Sequence, residues 1–129
     1  MTELSNKLKE MNFDFFASGK HQITADEFFS MKDCVFLDVR TPEEKKMLSF
    51  RLEGIREVLD MPLDRLAEDC EKIPRNRPVA IFCSGTQRAS IAYGFLRGAG
   101  FDNVRILISP IEEFASYFKP GLIKRFLEK

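Results

Sequence analysis

Val79-Ala80-Ile81-Phe82-Cys83-Ser84-Gly85-Thr86-Gln87-Arg88 passes from an uninterrupted apolar run into a short polar loop and then a charged helix start. The apolar run after Pro78 has the length and composition of a strand buried on both faces. From about Arg88 to Leu96 the pattern predicts a helix, which ends at Gly98 and Gly100. A buried strand that feeds directly into a helix is the repeating unit of a parallel sheet.

The same alternation recurs outward from that stretch. Val35-Phe36-Leu37-Asp38-Val39 predicts a second buried strand, followed by Arg40 and a helix start at Thr41-Pro42-Glu43-Glu44, with proline in the first turn. Ile23-Thr24-Ala25-Asp26-Glu27 opens an earlier helix, with Thr24 and Glu27 at capping-box spacing. Val58-Leu59-Asp60-Met61 reads as a short strand closed by Pro62. Leu63, Leu66, Ala67, Cys70 and Ile73 fall on one helical face, opposite Asp64, Glu68, Asp69, Glu71 and Lys72. Val104-Arg105-Ile106-Leu107-Ile108 is a further strand, and Ser109-Pro110-Ile111-Glu112 a further capping box. Residues 45–57 have no clear pattern, and the remainder to Lys129 reads as helical with a break at Pro120-Gly121. The expected fold class is α/β, with a mostly parallel sheet covered on both faces. Ligands of such sheets sit at the carboxyl ends of the strands. Asp38-Val39-Arg40 and Cys83-Ser84-Gly85 both fall there.

A length of 129 residues suggests one domain. Leu4, Leu8, Met11 and Phe15 lie at helical spacing, Phe13 and Phe16 add apolar surface, and Gly19 ends the segment. Residues 1–19 are therefore expected to be a helical extension packed on a domain spanning 20–129. Twenty basic residues balance twenty acidic ones, so no global attraction to nucleic acid or an anionic membrane is expected. No apolar run approaches the ~18–20 residues of a membrane span. Met1-Thr2-Glu3-Leu4-Ser5 lacks the basic-then-apolar layout of a secretion signal, and a cytoplasmic location is the default expectation.

Three cysteines, Cys34, Cys70 and Cys83, with no close pair argue against a disulfide framework. Without a C-x-x-C pair, and with His21 as the single histidine, no metal is expected, nor any other cofactor. His21 reads as a lone surface residue. Cys34 opens a strand and Cys70 lies on a core helix face, where a thiol is inert packing. Cys83 stands apart. A helix N-terminus presents unpaired N–H groups and partial positive charge. Gly85 lets the loop curl so that its amides point inward, and Arg88 adds a full charge. Each favours thiolate over thiol, giving a nucleophile and a cradle for an anion. His21 is remote in sequence, so a histidine-base mechanism has little support.

The chain resembles the rhodanese family. Asp38-Val39-Arg40-Thr41-Pro42-Glu43-Glu44 is similar to its D-V-R-x-x-x-E signature, and Leu59-Asp60-Met61-Pro62-Leu63 to its I-N-I-P-L segment. Val79 to Cys83 is similar to the strand leading into its active loop, and Gly98 to Val104 to its G-F-x-N-V run. The pieces occur in order across about residues 21–118. The resemblance implies a three-layer sandwich around a mainly parallel sheet of about five strands. It implies double displacement, with a cysteine taking sulfane sulfur from thiosulfate or a persulfide and passing it to cyanide, a thiol or a protein cysteine. Carried over, Cys83 is the persulfide carrier. Ser84, Gly85, Thr86, Gln87 and Arg88 form the cradle by their backbone amides, with the Arg88 guanidinium bracing loop or anion. Asp38, Arg40 and Glu44 are supporting residues by ion pairing and hydrogen bonding, and a purely structural role is the competing reading for them. There are departures. Gly85 lies two places after the cysteine rather than three, Thr86 takes the third, Ala89 replaces a serine, and Gly54, Ser109-Pro110 and Phe114 replace other family residues. These bear on donor choice and rate.

Two rival readings belong to other classes. A cysteine phosphatase or arsenate reductase needs five residues between cysteine and arginine, and here Ser84, Gly85, Thr86 and Gln87 make four. A weakly catalytic binding or regulatory module of the same fold is the other. No Lys or Arg lies between Ser84 and Gln87, which predicts weak thiosulfate affinity and a preference for persulfide donors.

Overall fold

Five strands form one sheet: β1 (Gln22–Ile23), β2 (Val35–Asp38), β3 (Val58–Asp60), β4 (Val79–Phe82) and β5 (Val104–Leu107). The computed structural model describes residues 3, 6, 18–47, 56–84 and 87–109. Strand order is β1-β5-β4-β2-β3, and every neighbouring pair is parallel. Among the described residues the α-helices whose bounds are given are α1 (Ala25–Ser30), α2 (Pro42–Met47), α3 (Leu66–Asp69) and α4 (Gln87–Gly98).

Alternation along the central strands sorts their side chains into two cores. Val35, Leu37, Val79, Ile81, Val104 and Ile106 pack on the α4 side, with Tyr93, Leu96 and Phe101. Phe36, Ala80, Phe82 and Leu107 pack on the other side, against Phe28 and Phe29 of α1. The expected three-layer α/β architecture is present, with a wholly parallel sheet. Cys83 continues the odd-numbered row of β4 and joins the α4-side core.

The Thr24–Glu27 capping box is formed at α1. At the end of α4, Gly100 takes a positive φ of 98°, and the Phe101 N–H donates to Leu96 O at 2.9 Å. Other expectations are corrected. Ile23 belongs to β1 rather than to the helix start, held by Ile106 N–H to His21 O (2.9 Å) and Ile108 N–H to Ile23 O (3.0 Å). The stretch after Pro62 is a 3₁₀ turn at Leu63–Arg65, then α3, then a 3₁₀ turn at Cys70–Lys72. Tight bonds of the i→i+3 type, such as Arg65 N–H to Pro62 O, shift the repeat toward three residues. Leu66, Cys70 and Ile73 are consequently buried while Ala67 turns out to solvent. His21 is half-buried rather than a surface residue, its ring 5.9 Å from that of Tyr93.

The readings of a helix over residues 4–15, of helical structure after Pro110, and of Gly54 and Phe114 lie outside the described residues, although Glu3 and Asn6 are helical. Among the described residues no helix is long and apolar enough to cross a membrane.

Candidate active site

The carboxyl ends of β2 and β4 lie side by side at the middle of the sheet. The Val39 N–H donates to Phe82 O at 3.0 Å, which carries their pairing one step beyond β2. Cys83 follows at once and is buried, with 4% exposure. Ala89 is the third residue of α4, so its N–H has no carbonyl one turn earlier within the helix. That N–H donates instead to Cys83 Sγ at 3.3 Å. The sulfur thus sits at the positive end of α4 with an amide directed at it, an arrangement that stabilises negative charge on sulfur.

Glu44 bonds residues on both sides of that loop. It is the third residue of α2, and Thr41 precedes that helix. The Glu44 N–H donates to Thr41 Oγ1 at 3.2 Å, and the Thr41 N–H donates to Glu44 Oε1 at 3.1 Å. This is a second capping box, and its sequence signal is Thr41 and Glu44 at the same spacing as Thr24 and Glu27. The carboxylate also reaches across to the cysteine loop. It accepts from Ser84 Oγ at 2.6 Å and from Arg88 Nη2 at 2.6 Å, while Arg88 Nη1 bonds its other oxygen. Arg88, then Ser84, holds the Glu44 carboxyl well below the usual carboxylate range. Reciprocally, Glu44 raises the Arg88 guanidinium.

Asp38 and Arg40 pair with one another in the interior, at 3% and 2% exposure. Arg40 Nε donates to Asp38 Oδ1 at 3.0 Å, Arg40 Nη2 to Oδ2 at 2.8 Å, and the Arg40 backbone N–H to Oδ1 at 3.0 Å. The guanidinium also lies 5.2 Å from the centroid of Phe82. A buried ion pair is tolerated when its polar atoms are bonded this fully. The pair fixes the turn from β2 to α2, and so the placement of Thr41 and Glu44.

Of the loop residues expected to form the cradle, Ser84 is exposed and bonded to Glu44, Gln87 is the exposed first residue of α4, and Arg88 is half-buried. Gly85 and Thr86 lie outside the described residues. Arg88 has both terminal nitrogens taken up by Glu44. A depression of about 470 Å³ opens beside it, walled by Val39, Pro42 and Leu63.

The other thiols have different surroundings. Cys34 is fully buried, and desolvation pushes its thiol up to about 12. Cys70 is buried, with Sγ 3.7 Å from Ala67 O. Among the described residues no group of His, Cys, Asp and Glu is placed to hold a metal ion.

Residues 24–117 match the family model of the rhodanese-like domain. The chain is 28% identical over 78 residues to the tRNA sulfurtransferase of Proteus mirabilis (strain HI4320), covering 60% of this chain and 16% of that protein. It spans about a sixth or less of the length of the curated relatives it matches. Its fold is similar to a rhodanese-related protein from Thermoplasma volcanium, with a TM-score of 0.63 and 24% identity over 78% of this chain and 95% of that one. It is also similar to a NAD-dependent persulfide reductase from A. fulgidus, with a TM-score of 0.55 and 31% identity over 70% of this chain and 15% of that one. With its parallel five-stranded sheet and its cysteine at the end of the central strand, the chain belongs to the rhodanese-like domain family.

Proposed function

We propose that the protein is a sulfurtransferase in which Cys83 carries sulfane sulfur as a persulfide. The observation that carries this reading is the Ala89 N–H directed at Cys83 Sγ from the start of α4. Family membership and the names of the relatives support it. In the first half-reaction Sγ attacks the sulfane sulfur of the donor. A bond forms between Sγ and that sulfur, the donor's bond to it breaks, and the leaving group departs with the electron pair. In the second, an acceptor thiolate attacks the outer sulfur. The sulfur–sulfur bond of the persulfide breaks, and Cys83 returns as thiolate held by the Ala89 amide. Glu44, Arg88 and Ser84 keep the loop in place through both steps.

Incubation with thiosulfate or polysulfide is expected to add about 32 Da to the protein, reversibly with cyanide or dithiothreitol, and to add nothing to Cys83→Ser. Absence of the adduct with thiosulfate, mercaptopyruvate and polysulfide alike would put the binding-module reading in its place. The commitment of Arg88 to Glu44 works against a phosphatase, whose arginine must clamp a dianion.

A further inference from the structure

Pro74-Arg75-Asn76-Arg77-Pro78 leads into β4 at the opposite end of that strand from Cys83, about 16 Å away along the chain. A cavity of about 370 Å³ opens beside this turn, within the size range of small-molecule sites. Ile23, Met31 and Pro78 give it apolar wall, and Arg75, Arg77 and Arg105 give it charge. Among the described residues no carboxylate lines it. Each arginine is held by a fixed neighbour. Arg75 stands 3.8 Å from the centroid of the buried Phe101 ring, and among the described residues it has no hydrogen bond or ion pair. Arg77 Nε donates to Asp33 O at 3.1 Å, and its Nη1 to Glu57 Oε1 at 3.2 Å. Arg105 Nη1 donates to Val104 O at 2.7 Å and to Asp102 O at 3.1 Å. Asn103 sets the turn itself. Its Nδ2 donates to Pro74 O and to Arg77 O, both at 2.7 Å, so one side chain ties both ends of the segment that carries Arg75 and Arg77.

The charges around the cavity leave it positive. Lys32, next to Met31 in the chain, and Arg97, which donates to Asp102 O at 3.4 Å, add to the three arginines. Asp33, Glu57 and Asp102 oppose them, and among the described residues Glu57 alone forms an ion pair with a lining arginine. Burial lowers the Arg105 guanidinium from its ordinary value, and Arg97 acts in the same direction. A bound anion offsets both. We propose that this cavity binds a small organic phosphate of nucleotide size, its phosphate held by Arg75, Arg77 and Arg105 and its apolar or aromatic body over Ile23, Met31 and Pro78. A guanidinium fork matches two phosphate oxygens at once, and Arg75 has that fork uncommitted. Its contact with Phe101 and the tie through Asn103 hold the site in place before the ligand arrives, which reduces the freedom lost on binding. The proposal is independent of the persulfide reading of Cys83.

The test titrates the isotope-labelled full chain with adenosine monophosphate, adenosine and inorganic phosphate, followed by amide chemical shifts. Shifts are expected at Asn76, Arg77, Asn103 and Arg105, with adenosine monophosphate binding more tightly than either of the other two. Arg75→Gln removes the uncommitted fork and should weaken that binding roughly tenfold, the loss expected for one charge-assisted contact. Arg105→Gln should give the same loss, and it stands in should Arg75→Gln not fold, which the same spectra report. Arg65→Gln removes an equal charge from the turn after β3, outside the cavity, and should bind as the wild type does. Equal weakening in Arg65→Gln and Arg75→Gln overturns the proposal, because overall charge then accounts for the binding. Shifts centred on Ser84 and Arg88 overturn it by putting the phosphate at the cysteine loop. Adenosine binding as tightly as its monophosphate, or no saturable shift at millimolar concentration, also overturns it. Tighter binding of a single-stranded oligonucleotide at the same amides overturns the assignment to a small ligand.

Discussion

Exchanging Glu44 for glutamine keeps the size of the side chain and removes the charge that gathers Arg88 and Ser84. Glu44→Gln is expected to slow persulfide loading by roughly tenfold or more, since a charge-assisted clamp is replaced by weaker neutral bonds. Its effect on stability depends on pH in a stated direction. Arg88 and Ser84 depress the folded-state value of the Glu44 carboxyl below the ordinary 4.5. The clamp therefore contributes stability that is fully present above about pH 4.5 and is lost as pH falls toward the depressed value. Urea midpoints of wild type and variant should differ by a constant amount at neutral pH and converge in acid; parallel curves would sink this account. Arg40→Met should cost about 3–5 kcal/mol, because Asp38 is then buried without its counter-charge, and Asp38→Leu/Arg40→Met should recover much of that loss. The local part of this site was legible in sequence, since Cys83, the helix start and Arg88 are contiguous. The role of Glu44 was not legible from local pattern, because its bonds to Ser84 and Arg88 cross 40 and 44 residues. Only the family resemblance pointed to it.

At the level of elements, α1 is held at its N-terminus by two side chains with different origins. Thr24 caps the Glu27 N–H locally, and Ser109 Oγ accepts from the buried Ala25 N–H at 2.8 Å from beyond β5. Thr24→Ala should cost about 1 kcal/mol. Ser109→Ala leaves a buried donor without its acceptor and should cost about 1–3 kcal/mol. Thermal melts of the two variants test the order, and a Ser109→Ala protein as stable as the wild type would contradict it. The first cap was readable because its residues are three apart. In sequence Ser109 reads as the cap of its own following helix, and its spatial partner lies 84 residues away. For the same reason β2, β4 and β5 were evident from their apolar runs, while β1 was not. A two-residue strand has no pattern of its own and exists through its bonds to β5.

Across the whole molecule the sheet separates two cores with different duties. The α1 side is aromatic: Phe28 meets Phe29 at 5.1 Å and Phe36 at 5.7 Å, and Phe36 meets Phe82 at 5.2 Å. The α4 side contains Cys83 and seats the helix whose amide touches Sγ, through the fully buried Ala89, Ala92 and Leu96. Closely packed interiors transmit displacement to their immediate neighbours, so equal losses of stability on the two sides should have unequal consequences. Phe28→Leu is expected to cost about 1 kcal/mol and to lower Tm by roughly 3–6 °C. Per folded molecule it should load persulfide at the wild-type rate. Ala92→Val adds two methyl groups between α4 and the sheet, costs about 1–3 kcal/mol, and should also slow loading by lifting the Ala89 amide from Cys83. Loading rates measured well below each variant's Tm make the comparison, with the folded fraction set by circular dichroism. Equal slowing in the two variants would mean that the sheet couples both cores to the thiol; slowing confined to Ala92→Val places the control of Cys83 in the seat of α4.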